Sequence, residues 1–596
     1  MTGATDAPSL SSLADVLHAT VARDPAGVLF QRRGPSGFED VPAKVFADQV
    51  LELAKGFVAA GVRPGDRVGI MSKTRYEWTQ LDFALWSVGA VPVPIYETSS
   101  VEQLAWILAD ASAVGCVVET RGHAARLQQV RDRLSELKHV WRIDAGDGPG
   151  LDDLVSSGRG VADAEIDARI AALQRDTPAT LIYTSGTTGR PKGCVLTHGN
   201  FLDECSSAIE MLPELFERED ASTLLFLPLA HVFGRMIQVA VVMQGVTMAH
   251  SDPARLVKDL AQVRPTFVLS VPQVFEKIYE TARRKAAADG KAKIFEAAAA
   301  TAIAWSRATE RGRAGLVLAA RHAVFERLVY RKLRAAFGGR AEWAVSGGAA
   351  LGERLGHFFR GVGVTVLEGY GLTETTAAAA VNSRKGMRVG SVGRALPGFE
   401  LRVAPDGEVL VRGGHVFKGY WGDEDATARV LDADGWFHTG DLGRLDDEGF
   451  LTITGRLKEI LVTAGGKNVA PAPLEDVLRA HPLVAQAMVV GDGRPFVGAL
   501  VTLDPEAIGQ WLTDHGREPT PLEAVVDDAE VRAAVQTAVD AANATVSGPE
   551  QIRRFAILPT VWTEESGHLT PTLKLKRAKV LADYAAEVEA LYAPRT

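Results

Sequence analysis

Leu181-Ile-Tyr-Thr-Ser-Gly-Thr-Thr-Gly-Arg-Pro-Lys-Gly193 runs from a β-rich stretch into a loop of small, hydroxylated and glycine residues that ends near Lys192. Its composition suits a polyphosphate. Glycines let backbone N–H groups approach oxygens closely, Thr184, Ser185, Thr187 and Thr188 add hydroxyl donors, and Lys192 supplies positive charge. A nucleotide is the natural guest. The glycines stand at Gly186, Gly189 and Gly193 and Pro191 precedes the lysine, so the spacing GxxxxGK followed by Ser or Thr is not met and a P-loop ATPase is disfavoured. Clusters of Ser, Thr and Gly are commonly plain turns. The whole string from Tyr183 to Gly193 is too specific for that explanation.

Around this loop, from Asp48 to about Ser270, helical stretches alternate with short apolar runs, the signature of βαβ units in a parallel sheet. Arg67-Val-Gly-Ile-Met71, Val91-Pro-Val-Pro-Ile95 and Val114-Gly-Cys-Val-Val118 are three such runs. Residues 274–337 are rich in Ala, Arg, Lys and Glu, with Phe295, Ile303, Trp305 and Leu316 scattered as on helix faces. They are expected to form a helical insertion, most simply a helix pair packed on the body, in which Arg283, Arg284 and Lys285 could touch anionic lipid. After Pro397 short alternating strands, Leu401-Arg-Val403 and Val409-Leu-Val411, flank the turn pair Asp406-Gly407 and predict a small β subdomain. Past Arg456 the strands 484–490 and 497–502 and a helix over 529–544 predict a mobile C-terminal α+β domain.

The chain has 596 residues, 46% apolar and 23% charged, with a net charge of −9. That composition predicts large buried cores and excludes a disordered chain. The mild acidity argues against a general nucleic-acid binder. Three cysteines without a CxxC pair make a disulfide framework or structural zinc improbable and fit a reducing cytoplasm. No secretory pattern opens the sequence, and no run approaches the roughly 20 apolar residues of a membrane span.

Tyr183-Thr-Ser-Gly-Thr-Thr-Gly-Arg-Pro-Lys-Gly193 resembles the AMP-binding signature of the adenylate-forming superfamily, which includes acyl-CoA synthetases, peptide-synthetase adenylation domains and luciferases. The resemblance extends from about Asp48 to the C-terminus. It implies a large N-terminal domain of parallel α/β sheets with a small β-barrel subdomain (1–455), a hinge (456–459) and a smaller mobile α+β domain (460–596). Glu368-Gly-Tyr-Gly-Leu-Thr-Glu-Thr375 resembles the second nucleotide motif, made of Glu368, Gly369 and the residues after them. By that resemblance Tyr370 packs on adenine, Thr373 contacts the α-phosphate and Glu374 holds Mg²⁺. Val345-Ser-Gly-Gly-Ala349 resembles the turn lining the adenine and acyl pocket with Gly347, Gly348 and Ala349. Asp441, in Trp436-Phe-His-Thr-Gly-Asp441, and Arg456 resemble ribose contacts, and Lys458 falls on the hinge position. Gly465 and Gly466 look like the turn beside the pantetheine tunnel. In Leu569-Thr-Pro-Thr-Leu-Lys-Leu-Lys-Arg577, Lys574 aligns with the catalytic lysine, with Lys576 and Lys579 as near neighbours.

The resemblance implies ATP, Mg²⁺ and coenzyme A as cofactors or co-substrates, and two half-reactions. The acyl carboxylate attacks the α-phosphorus to give acyl-AMP and pyrophosphate, and the CoA thiol then displaces AMP. Tyr96-Glu-Thr-Ser-Ser100, the stretch from Leu227 to Arg235 and Val271-Pro-Gln-Val-Phe-Glu-Lys277 resemble the long-chain fatty acyl-CoA synthetase branch. His231 matches a position near the acyl carboxylate, where a packed, hydrogen-bonded histidine and a catalytic one are both open. Arg235 stands where some bacterial long-chain enzymes have a gating tryptophan, so no gate is assigned. Val232, Phe233 and Val271 are candidate tunnel walls. A fatty acyl-AMP ligase that loads a carrier protein and a silent nucleotide- or fatty-acid-binding module are the alternatives. The expected partners are a long-chain fatty acid, ATP and CoA, without nucleic acid. The expectation leaves room for a homodimer and for peripheral contact at the inner membrane surface.

Overall fold

Val91–Ile95 is buried along its whole length, as a strand must be when both faces of its sheet are covered. It pairs in parallel with Arg67–Met71, which pairs with Gly115–Val118, which pairs with His139–Arg142, giving a four-stranded parallel sheet. The following helix, Val101–Asp110, starts where Ser100 accepts from the Gln103 N–H and the Gln103 side chain returns a bond to the Ser100 backbone. The computed structural model describes residues 10–144, 149–184, 190–570 and 573–593.

A second, nine-stranded sheet runs in the order Arg394–Ala395, Ala380–Val381, Thr365–Tyr370, Trp343–Ser346, Phe267–Ser270, Ser222–Leu225, Thr247–His250, Val28–Gly34 and Gly37–Pro42. Its centre is parallel and its two edges are antiparallel. The α/β pattern therefore begins before Asp48: Val28–Gly34 joins by pairing with a strand some two hundred residues away, which no local pattern reveals. Pro178–Thr184 and Lys192–Thr197 form an antiparallel pair in a separate three-stranded sheet with Gly419–Tyr420.

The expected helical insertion lies between Phe267–Ser270 and Trp343–Ser346. Pro272–Ala288 and Ala292–Glu310 pack through Phe275, Tyr279 and Phe295, with the Tyr279 ring edge-on to Phe358 at 4.8 Å. The helix that follows, Leu316–Phe325, buries none of its residues, so the insertion is more than a packed pair.

One compact unit takes the chain up to Arg402 together with Leu410–His438 and Asp447–Leu451, and the other takes Val403–Val409, Thr439–Asp446 and the chain from Thr452 onward. In the second unit Val484–Val490 pairs antiparallel with Val497–Leu503, which pairs in parallel with Ile552–Leu558. Alternate residues of these strands feed two cores: Ala487, Val489, Ala499 and Val501 face Leu474 and Val535, while Met488, Val490 and Leu500 face Trp562 and Val580. The period-2 alternation is that of a sheet covered on both faces. The predicted helix at 529–544 is Ala529–Asn543.

Candidate active site

The antiparallel pairing sets Thr184 opposite Lys192 and Tyr183 opposite Gly193, so the two ends of the glycine-rich loop face each other. Ser185, Gly186, Thr187, Thr188 and Gly189 lie outside the described residues. The frame around them is well anchored. The Tyr183 hydroxyl donates to Asp110 Oδ2 at 2.6 Å, the Trp106 indole N–H donates to the Pro191 carbonyl at 2.9 Å, and the Arg190 guanidinium sits over the Trp106 ring at 4.5 Å. On the other side the Trp421 N–H donates to the Gly193 carbonyl at 2.7 Å. Lys192 Nζ lies 3.4 Å from Asp423 and 5.1 Å from the centre of the Tyr420 ring, half-exposed and so able to turn toward an anion.

Glu374 sits on the short turn Thr373–Thr375 that follows the strand Thr365–Tyr370. Its carbonyl accepts from the Phe417 N–H at 2.8 Å and its Oε1 accepts from the Tyr420 hydroxyl at 2.9 Å. Burial first, and then the Glu374 carboxylate, push the Tyr420 phenol far above its ordinary value, so it remains a donor. The backbone folds sharply here. Thr376 and Ala377 have φ of 53° and 111°, and a Cβ on Gly371 would stand 1.5 Å from the Ala377 carbonyl oxygen, so only glycine fits. The Thr376 hydroxyl donates to the His415 carbonyl at 2.6 Å and the buried Glu204 Oε1 accepts from the Ala378 N–H at 2.8 Å. Tyr420 thus joins Lys192 to Glu374 across the three-stranded sheet. Sequence reading missed it, because nothing in Phe417-Lys-Gly-Tyr420 marks a partner some fifty residues upstream. A carboxylate linked through Tyr420 to Lys192 is an oxygen donor of the kind that suits Mg²⁺, which keeps several waters and binds through few protein oxygens.

Glu368 is buried, and its Oε1 accepts from the Leu351 N–H at 2.9 Å, fixing the turn that carries Gly347, Gly348 and Ala349. A Cβ on Gly347 would lie 3.5 Å from the Phe233 ring and one on Gly348 4.0 Å from Val271. Two of the expected wall residues therefore meet at this turn, while Val232 is buried beside Phe233. Tyr370 and Gly369 continue the strand into antiparallel pairing with Ala380 and Val381, and Thr373 is buried. His231 is the N-cap of Val232–Gln244, its Nδ1 accepting from the Phe233 N–H at 3.2 Å. One turn on, Arg235 Nη2 lies 2.9 Å from Asp82 Oδ1, and both side chains are 0% exposed. Gln238 donates to Asp82 at 2.7 Å and Thr79 donates to Gln238 at 2.9 Å. Burial raises the Asp82 carboxyl and lowers the Arg235 guanidinium, and each partner opposes the other's shift. The tryptophan position is thus occupied by half of a buried ion pair.

In the second unit Asp441, buried, and Arg456 meet at 2.8 Å, so the two expected ribose contacts are neighbours. Lys458 is exposed on the single turn Leu457–Glu459. Gly465 and Gly466 form an exposed turn closed by the Thr463 N–H donating to the Lys467 carbonyl at 3.0 Å. Pro571 and Thr572 lie outside the described residues. The backbone on either side of them is tied, with the Lys574 N–H donating to Thr570 Oγ1 at 3.0 Å and the Thr570 N–H to the Lys574 carbonyl at 2.8 Å. The rival Lys579 pairs with Asp583 at 2.6 Å. Arg577 donates to the buried Glu475 at 2.7 Å and so docks this segment on the unit's core.

Residues 43–421 match the AMP-binding enzyme family and residues 458–596 match the AMP-binding enzyme C-terminal domain. The chain is 52% identical over 572 residues to the long-chain-fatty-acid–CoA ligase FadD15 of Mycobacterium bovis, covering 96% of this chain and 95% of that one. It is 31% identical over 587 residues to the long-chain-fatty-acid–CoA ligase ACSBG2 of Xenopus laevis, covering 92% and 79%. Among solved structures it resembles the anthranilate CoA ligase AuaEII in complex with anthranoyl-AMP, with a TM-score of 0.73, 20% identity and coverage of 98% and 99%. It also resembles the A-PCP didomain of carboxylic acid reductase from Segniliparus rugosus in complex with AMP, with a TM-score of 0.75, 23% identity and coverage of 99% and 83%.

Proposed function

The chain belongs to the AMP-binding enzyme family, and from that premise we infer that it is a long-chain fatty acid–CoA ligase that turns ATP, a fatty acid and CoA into acyl-CoA, AMP and diphosphate. The observation that carries the inference is the 52% identity to FadD15 over 96% of the chain. In the first half-reaction a carboxylate oxygen bonds to the α-phosphorus and the bond to the β-phosphate breaks, releasing pyrophosphate. In the second the CoA sulfur bonds to the acyl carbonyl carbon, AMP leaves with the electron pair, and the thiol loses its proton.

The roles of single residues are part of the same proposal. Thr184, Ser185, Gly186, Thr187, Thr188, Gly189 and Lys192 hold the phosphates, and the anchoring of both loop ends supports this. Tyr370 and the Gly347–Gly348–Ala349 turn receive the adenine and the acyl carbonyl, Thr373 the α-phosphate, and Asp441 and Arg456 the ribose. Glu374 would hold Mg²⁺, which when bound supplies charge neutralisation to the phosphates. Lys574 supplies positive charge to the α-phosphate and carboxylate during adenylation. A hinge at 456–459 around Lys458 then lets the turn at Gly465 and Gly466 serve thioester formation. His231 orients the start of its helix, as its capping bond indicates. A cytoplasmic setting is supported by Cys116, Cys194 and Cys205, each free and buried. No helix among the described residues is long and apolar enough to cross a membrane.

Incubation with palmitate, Mg–ATP and CoA should yield palmitoyl-CoA and AMP, and ATP–pyrophosphate exchange should need the fatty acid. Lys574→Ala is expected to lower exchange about 100- to 1,000-fold, the usual cost of one pre-aimed charge donor. Exchange at the native rate would remove Lys574 from the adenylation step. Adenylate without acyl-CoA would mark an acyl-AMP ligase, and ADP as the product would overturn the reading altogether.

A further inference from the structure

Leu316–Phe325 is an exposed helix whose apolar residues point the wrong way for a soluble surface. Leu316 and Val317 are 90% and 85% exposed, and Val324 and Leu328 are 55% and 54% exposed. Their spacing, three to four residues with exposed Ala320 between, places them on one stripe along the helix and the turn that follows it. Arg313, Arg321, Arg327 and Arg331 are exposed along the same segment. From Arg311 to Lys332 the sequence holds one acidic residue, Glu326, and it pairs with Arg334. A chain with a net charge of −9 thus concentrates positive charge around its most exposed aliphatic side chains.

We propose that this helix docks on an anionic phospholipid surface, with Leu316, Val317, Val324 and Leu328 entering the acyl boundary and the arginines meeting the headgroup phosphates. The inference rests on the ligase reading for its purpose, since long acyl chains partition into bilayers. Its physical basis is independent: exposed aliphatic side chains combined with flanking basic ones are what binds a surface helix to acidic lipid. A second copy of this chain is a poor occupant, because a symmetric contact would set the arginines against one another. Arg283, in the helix Pro272–Ala288, pairs with Glu280 at 2.8 Å.

The test is cosedimentation of the full chain with phosphatidylcholine vesicles, with and without phosphatidylglycerol. Leu316→Ser with Val317→Ser, and separately Arg321→Glu with Arg327→Glu, are the variants. The native chain should bind the acidic vesicles and lose affinity with added salt. Each double variant should weaken that binding about tenfold or more. Equal binding to both vesicle types, equal binding by the variants, or a dimer in size-exclusion chromatography that the variants abolish would overturn the proposal. Activity with palmitate dispersed in a neutral detergent, away from any bilayer, is the companion readout. Both variants should keep the native rate there, and absence of acyl-CoA from the native chain would defeat the ligase reading while leaving the vesicle result to stand alone.

Discussion

At the scale of single residues, two polar contacts separate positioning from stability. The Asp82–Arg235 pair bridges the helices Tyr76–Val88 and Val232–Gln244 with both charges out of water. Removing one partner leaves the other buried and uncompensated, so Asp82→Asn is expected to cost about 3–5 kcal/mol in urea denaturation. Asp82→Leu combined with Arg235→Met should recover most of that loss, because two apolar side chains leave no charge behind. A double variant as unstable as the single one would show that the pair stabilises by more than mutual neutralisation. Tyr420 is the opposite case. Tyr420→Phe keeps the ring under Lys192 and deletes only the hydroxyl that donates to Glu374 Oε1. Stability should barely move, while KM for Mg–ATP rises about tenfold and KM for the fatty acid stays put. Unchanged nucleotide affinity would mean that Glu374 needs no help from Tyr420.

At the scale of elements, close packing decides what the pattern cannot. The helices Ala292–Glu310 and Glu353–Val362 approach so closely at Gly361 that an added Cβ would lie 2.1 Å from the Ala302 carbonyl oxygen. A main-chain carbonyl cannot swing aside as a side chain can, so Gly361→Ala is expected to destabilise by about 1–3 kcal/mol. Gly315→Ala, with nothing near its Cβ position, should stay within about 0.5 kcal/mol. Equal thermal midpoints for the two variants would contradict the packing argument. Neither glycine stands out in the sequence. What was legible there was local: Arg67–Met71, Val91–Ile95 and Val484–Val490 emerge where their apolar runs place them. Neither the strand Val28–Gly34 nor the exposure of Leu316–Phe325 could be read that way. The first depends on a distant partner, and helical periodicity does not say which face finds cover. The nucleotide motifs were legible because each is a contiguous string. The Tyr420–Glu374 bond was not, because it joins residues that only the folded sheet brings together.

At the scale of the whole molecule, buried titratable groups of both kinds set how the fold responds to acid. Burial pushes His198 and His415 down to about 3 and His250 to about 4, from an ordinary value of 6.5. Below 6.5 the unfolded chain takes up protons that these three native histidines refuse. Stability from this source therefore falls with pH, by about 1.4 kcal/mol per unit for each histidine. Glu204 acts in the opposite sense: burial raises its carboxyl well above the ordinary 4.5, so above that value the native state holds a proton that the unfolded chain releases. Acidification favours the native state there, and the two effects partly cancel between pH 6.5 and about 4.5. Below that window Glu204 is protonated in both states, and the histidines are joined by carboxylates that ion pairs hold low, such as Asp528 at about 2 beside Arg517, so both effects favour unfolding as pH falls. Urea midpoints should decline gently from neutral pH and then steeply toward pH 3. His415 offers the sharpest check, because neither ring nitrogen has a hydrogen-bond partner among the described residues and its ring stacks on Phe399 at 3.5 Å. His415→Leu should be close to neutral at pH 7, and at pH 4 it should stabilise by about 3 kcal/mol more than it does at pH 7, because it removes a group that only the unfolded chain can protonate. The same effect at both pH values would show that His415 accepts its proton without unfolding.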